Sequence, residues 1–335
     1  MPLTQLNFQP GIDTENTPSG AEGRWIDCDK VRFRKGLPQK IGGWTKFSEA
    51  YYVGVGRALE QWFALDGSRY EALGTDRKVY AYVAGTSQDI TPIRSTEALV
   101  NAISTTSSSA IVTITDTAHG AIQGDFVTLS SVSAAVGGIP AATLDAEYEI
   151  LSIANVDAYT IQSSATASSA VGPTANCTVN YQLNIGPSEQ TFGFGWGAGT
   201  WNAGTWNTPR TTSQITLDAR LWSINNWGED LIITQKDGGT YEWDTSAGMT
   251  DNRATVVANA PTTSTLSLVS TETRHVVCMG TETTIGTNTT QDKMFIRWSD
   301  QENYNQWTPN VTNSAGSQRI AGGSEIRCAR PAKGT

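Results

Sequence analysis

The stretch "GRALEQWFALDGSRYEALGTDRKVYAYVAGTSQDITPI", residues 56–93, decides the fold reading. Apolar and polar residues alternate in short runs bounded by turn residues, the pattern of half-buried strands. Leu59 to Leu65 reads as one strand, Tyr70 to Gly74 as a second, Lys78 to Val83 as a third and Asp89 to Ile93 as a short fourth. Asp66–Gly67 is a hairpin signal, because such a pair accepts the positive φ that tight turns require. Four short antiparallel strands in about 40 residues match the size of one β-propeller blade.

The same pattern returns downstream. "ARLWSINNWGEDLIITQKDGGTYEWDTSAG" predicts strands at Leu221–Ile224, Asp230–Thr234 and Thr240–Asp244, with a turn at Asp237–Gly238. "RHVVCMG" and "DKMFIRWSD" open a further unit. Upstream, "RWIDCDKVRFRKGLPQKIGGWTKF" reads as two strands around a turn at Lys35–Pro38. Between the two patterned regions the texture changes to Ala, Ser and Thr. "SAIVTITDTAHGAIQGDFVTLSSV" and "AEYEILSIANVDAYTIQ" alternate like small antiparallel hairpins. The expected fold is therefore all-β, with β-propeller-like blades and an inserted small antiparallel β-barrel or sandwich domain. The expected divisions are an N-terminal arm at 1–23, first propeller blades at 24–94, the inserted β domain at 95–185, and further blades at 186–335 that end incomplete.

Composition supports strands over helices. Glycine is abundant at 32 of 335 residues, only 16% of residues are charged, and Val, Ile, Thr, Tyr and Trp fill the runs between turns. The opening "MPLTQLNFQPG" lacks a basic stretch and an apolar core, so neither a secretory leader nor a membrane span is expected, and assembly in a cytoplasm is. The net charge of −9 is uneven. Residues 95–185 carry seven acids and no Lys or Arg, whereas residues 24–47 carry seven basic residues against Asp27 and Asp29. Such a split points to modules with separate surfaces. Arg32, Arg34 and Lys35 lie at the centre of the basic segment and are candidate subunit-interface residues, with nucleic-acid contact the other reading.

Signals for chemistry are few. Cys28, Cys177, Cys278 and Cys328 are far apart and read as reduced thiols, without metal-ligand spacing. His119 and His275 are the only histidines; His119 falls in a turn, and His275 and Cys278 sit on opposite faces of one strand. No nucleophile elbow, phosphate loop or zinc-binding helix motif occurs. No catalytic residue, cofactor or metal is expected, and the chain is not read as an enzyme. Tryptophans near carboxylates such as Glu242 and Asp244 support glycan or receptor binding as the alternative. In "GFGWGAGTWNAGTWNTPR", residues 193–210, Trp196, Trp201 and Trp206 recur every five residues in a glycine-rich setting. That spacing suits an extended connection whose indoles pack at an interface.

Four segments carry a resemblance. "QPGIDTENTPSGAEGRWIDCDKVRFRKGLPQKIGGW", "GAGTWNAGTWNTPR", "LWSINNWGEDLIITQKDGGTYEWD" and "FIRWSDQENYNQWTPN" resemble the tail nozzle or hub proteins of short-tailed bacteriophages, also described as tail tubular or stabilisation proteins. "TDTAHGAIQGDFVTLS" and "GGIPAATLDAEYEI" are similar to small β modules of phage tail proteins. The resemblance implies a structural virion subunit that forms a ring, commonly of six copies, around the DNA exit channel. It implies partners in further copies of itself and in portal, adaptor or tail-tube proteins; against that family's length, either this is a fragment or divergent version or a partner chain completes the propeller. Genomic DNA would pass without sequence recognition. Relatives in that family are generally longer, with more blades.

Overall fold

The computed structural model describes residues 9–43, 45–190 and 218–331. Contacts divide the chain into two units, Met1–Glu49 and Ala50–Thr335.

The first unit holds a hairpin of β1 (Val31–Arg34) and β2 (Leu37–Lys40), with Arg34 opposite Leu37. Lys35 and Gly36 both adopt positive φ, 52° and 79°, as a two-residue hairpin turn demands. Alternation along β1 leaves Val31 and Phe33 half-buried and puts Arg32 and Arg34 in solvent. Phe33 meets the Trp25 ring at 6.3 Å. Pro38 sits on β2, which has no second neighbour among the described residues to need its missing N–H.

The second unit begins with a four-stranded antiparallel sheet in sequence order: β3 (Gly56–Phe63), β4 (Arg69–Thr75), β5 (Val79–Val83) and β6 (Thr86–Asp89). An eight-stranded sheet follows, made of β7 (Ile93–Leu99), β8 (Ile103–Thr105), β9 (Ile111–Thr115), β10 (Phe126–Ser130), β11 (Glu147–Asn155), β12 (Ala158–Gln162), β13 (Val171–Thr174) and β14 (Cys177–Gln182). Its order is β13-β8-β9-β12-β11-β10-β14-β7. Strand β11 pairs with β10 through Glu147–Glu149 and with β12 from Ile150 onward, with register shifts at Ile150/Ser152 and Ile153/Asn155. Such irregularities bend a sheet, and the inward residues surround one core that includes Ile103, Ile114, Leu129, Ile150, Tyr159 and Tyr181. Two more four-stranded meanders complete the unit: β15 (Trp222–Trp227), β16 (Asp230–Gln235), β17 (Thr240–Trp243), β18 (Thr255–Val256); and β19 (Leu266–Ser270), β20 (His275–Met279), β21 (Phe295–Trp298), β22 (Gly316–Arg319). The one short α-helix among the described residues is Ala141–Leu144, and no described helix is long and apolar enough to cross a membrane.

The protein is all-β, but the β-propeller and the inserted barrel or sandwich are corrected. No sheet among the described residues is closed into a barrel or curled as a propeller blade. The eight-stranded sheet is a single continuous order whose end strands, β13 and β7, do not pair with each other, whereas a barrel needs that last pairing. A ring of blades needs about 4–8 of them, and the described residues hold three four-stranded meanders, all open. The physical reason is one of range. Turn chemistry and alternation specify which neighbouring strands pair. Closure depends on twist and stagger accumulated over a whole sheet, which no local pattern encodes.

Aromatic residues weld the first meander to the third sheet. Trp62 and Trp243 meet edge to face at 6.3 Å, and Tyr70 stacks on Trp62 at 5.4 Å. The indole of Trp222 donates to the Thr75 carbonyl at 2.6 Å, and that of Trp62 to the Glu229 carbonyl at 2.8 Å. A charged cluster ties three sheets together. Buried Lys78 pairs with Asp89 at 2.8 Å and with Glu147 of β11, and its ammonium lies 4.1 Å from the Phe126 ring centre. Arg253, from the β17–β18 connection, bridges the same two carboxylates at 3.1 and 3.3 Å, and the Gln182 amide donates to both.

Candidate functional site

Two surfaces draw together chemistry-bearing side chains. The first is the β1–β2 hairpin. Arg32, Arg34 and Lys35 are exposed, and so are Lys30 and Lys40. Arg32 donates to the Gln39 side chain at 3.1 Å, and Lys30 approaches Asp29 at 3.5 Å. Among the described residues Arg34, Lys35 and Lys40 make no ion pair. Leu37, beside the turn, is 70% exposed. Trp196, Trp201 and Trp206, the other interface candidates, lie outside the described residues.

The second surface is a cleft of about 460 Å³ at one end of the β15–β18 sheet. The tight turn after β15, with Gly228 at φ 70°, places Trp227 and Glu229 on its wall and returns the chain to Asp230. Glu242 projects from β17 and Asp244 follows that strand, where its carboxylate accepts from the Ser246 N–H at 2.8 Å and caps a single 3₁₀ turn, Thr245–Ala247. Asp230 accepts from the Thr245 N–H and hydroxyl at 3.1 and 3.2 Å. Glu229 accepts from the Leu65 N–H at 2.6 Å. The opposite wall comes from the neighbouring sheet. Arg274, just before β20, lays its guanidinium 4.9 Å from the Trp227 ring centre, and Tyr304 stands edge-on to that ring at 5.5 Å. Tyr304 is held by its carbonyl, which accepts from the fully buried Trp307 indole at 2.6 Å.

Four carboxylates thus face one guanidinium, and none of the four forms an ion pair among the described residues. Burial raises the Asp230 carboxyl above its ordinary value, and the charges of Asp244 and Glu229 push the same way. Burial and the hydrogen bond to Glu242 raise the Tyr304 phenol. Burial is the larger cause of both shifts, and the neighbouring carboxylates add to it in the same direction. Such a site suits a cationic group lodged against an aromatic wall, or a polyhydroxyl ligand that donates to the carboxylates.

The remaining titratable candidates are occupied within the fold. His119 is buried; its Nδ1 accepts from the Ala121 N–H at 3.0 Å and its Nε2 meets the Asn155 carbonyl at 3.3 Å. His275 lies 3.1 Å from the Ser314 hydroxyl, and β20 turns it away from Cys278 as alternation requires. Burial pushes the Cys177 and Cys278 thiols up to about 11, which makes both poor nucleophiles. No group of three or more His, Cys, Asp or Glu among the described residues is arranged to hold a metal. Glu242 and Asp244 drew notice in the sequence through nearby tryptophans. Arg274 and Tyr304 did not, because their partners lie on another sheet and no periodicity links them.

No family model matches the chain, and no curated protein matches it. Among solved structures, "Phage phi92 endosialidase" aligns over 80% of this chain and 38% of its own length, with 11% identity and a TM-score of 0.24. The chain therefore spans well under half of that structure, and a superposition this loose carries no argument about fold or activity.

Proposed function

We propose that the protein is a structural subunit of a phage tail that works by assembling with further copies of itself and with neighbouring portal or tail-tube proteins. The observation that carries this reading is the β1–β2 hairpin: an exposed, cationic tip inside the longest segment that resembles tail nozzle and hub proteins. An exposed charged hairpin sets partner choice and register, the task of a subunit contact. A net charge of −9 suits a channel that lets DNA pass, since duplex DNA carries one negative charge per ~1.7 Å and a basic channel would retain it. The test is reversal of Arg32, Arg34 and Lys35 to glutamate in the phage. Particles should fail to incorporate the subunit, as read by its loss from purified virions. If the variant is incorporated normally but particles no longer retain their DNA, the hairpin is a nucleic-acid contact and the assembly reading fails.

The acidic aromatic cleft favours a second reading, glycan or receptor binding. Titration of purified protein with host-surface saccharides, followed by tryptophan fluorescence, checks it. Saturable binding that disappears in a folded Glu242→Gln variant would support this reading over the first.

A further inference from the structure

We propose that the acidic aromatic cleft is the seat of the β1–β2 hairpin of a second copy of the chain. The proposal rests on the self-assembly reading above and names the surfaces that such assembly joins. The hairpin run from Lys30 to Lys40 carries five cations and no acid. The cleft offers Glu229, Asp230, Glu242 and Asp244 against the single guanidinium of Arg274. Arg274 already sets its guanidinium 4.9 Å from the Trp227 ring centre, so the aromatic wall suits guanidinium groups of the kind that Arg32 and Arg34 carry. Apolar contact is matched as well. Leu65 at the cleft is 93% exposed, and Leu37 beside the hairpin turn is 70% exposed.

The acidic eight-stranded sheet is the competing acceptor, and six of the seven carboxylates of residues 95–185 are taken; the seventh, Glu97 on β7, is exposed and makes no ion pair among the described residues. Glu147 and Glu149 pair with Lys78, Arg253 and Arg77. Asp116 accepts from the Tyr181 phenol, Asp125 from the Ile122 and Ile185 N–H groups, Asp145 from Val132 and Asp157 from Ala118. What sets the cleft apart is clustering: four carboxylates that make no ion pair among the described residues line one wall with a single guanidinium, whereas the sheet offers a multiply charged hairpin only the lone Glu97. One patch meeting a different patch is a heterologous contact, which propagates into a ring or a filament.

The experiment uses the full chain. Equal amounts of ¹⁴N- and ¹⁵N-labelled protein are mixed and treated with a carbodiimide, which joins a lysine to a carboxylate only where the two touch. Mass spectrometry should find Lys35 or Lys40 joined to Glu242 or its neighbours in mixed heavy–light pairs. In sedimentation, Arg32→Glu/Arg34→Glu/Lys35→Glu and Glu242→Lys should each weaken self-association by at least about tenfold, and a mixture of the two variants should restore it, because each then offers the charge the other lost. Links confined to single chains, or reversals without effect on an association that persists, overturn the proposal and leave the assembly reading standing. A chain that stays monomeric at every concentration overturns both. The cross-links on the natural protein keep the outcome decisive if a variant fails to fold.

Discussion

Gly74 shows how closely single residues determine this packing. A Cβ at that position would lie 2.7 Å from the Trp222 ring, and Trp222 is the indole that anchors β15 to β4 through the Thr75 carbonyl. The glycine is required by close approach. Gly74→Ala should destabilise the protein by about 1–3 kcal/mol, the usual cost of overpacking a filled core, seen as a lower urea midpoint with an unchanged slope. Trp222→Phe, which removes only the indole donor and some volume, should cost less. At this scale the sequence was partly legible. His275 and Cys278 were placed on opposite faces of one strand, and the structure has them so. The contact between Gly74 and Trp222 was not legible, because it joins residues far apart in the chain that share no motif.

Among the elements, turn chemistry decided which strands could be read. The first three strands of residues 56–93 fall close to where alternation placed them, at Gly56–Phe63, Arg69–Thr75 and Val79–Val83. The fourth does not: β6 is Thr86–Asp89, earlier than the expected Asp89–Ile93. Its turn is Ala84–Gly85, both at positive φ, 49° and 83°, and alanine is not a residue that announces such a turn. Exposed Ala84 therefore carries backbone strain that asparagine tolerates better. Ala84→Asn should raise stability by up to about 1 kcal/mol, measured as a higher melting temperature. The Asp66–Gly67 signal located its hairpin but not its form. Only Gly67 takes positive φ, and the loop runs from Ala64 to Ser68, closed by the Ala64 N–H on the Ser68 carbonyl at 3.0 Å. The cleft was half legible for the same reason: Glu242 lies on a readable strand and Asp244 directly follows it, whereas Tyr304 lies in an irregular connection.

For the whole molecule, the cluster around Lys78 fixes how the eight-stranded sheet meets the sheets beside it. Removing one partner from a buried pair leaves the other charge stranded, at a cost of about 3–5 kcal/mol when no second partner remains. Here Arg253 remains for both carboxylates, so Lys78→Met should cost less, about 2–3 kcal/mol, in urea unfolding. Burial pushes the Asp89 carboxyl up, but Arg253 and Lys78 more than offset it, and Asp89 titrates below the ordinary 3.8. A depressed folded value means that its contribution is fully present above the unfolded value and is lost as pH falls through the folded one. The melting temperature of the natural protein should therefore drop steeply below pH 3.8, and Asp89→Asn should flatten that drop while lowering stability near neutrality. Sheet closure was the feature of this scale that local pattern misjudged.

The pairing of β7 with β14 has a consequence for synthesis on the ribosome. Ile93 finds its partner only when Gln182 has emerged, and at ~5–20 residues per second that interval is roughly 5–20 s. Throughout it β7 is a nascent strand with free N–H and C=O groups on both sides. The meander β3–β6 can form behind it from neighbouring residues alone, as fast local hairpins do. The chain thus emerges as a first sheet that can close from local hairpins, followed by a strand that waits for its partner.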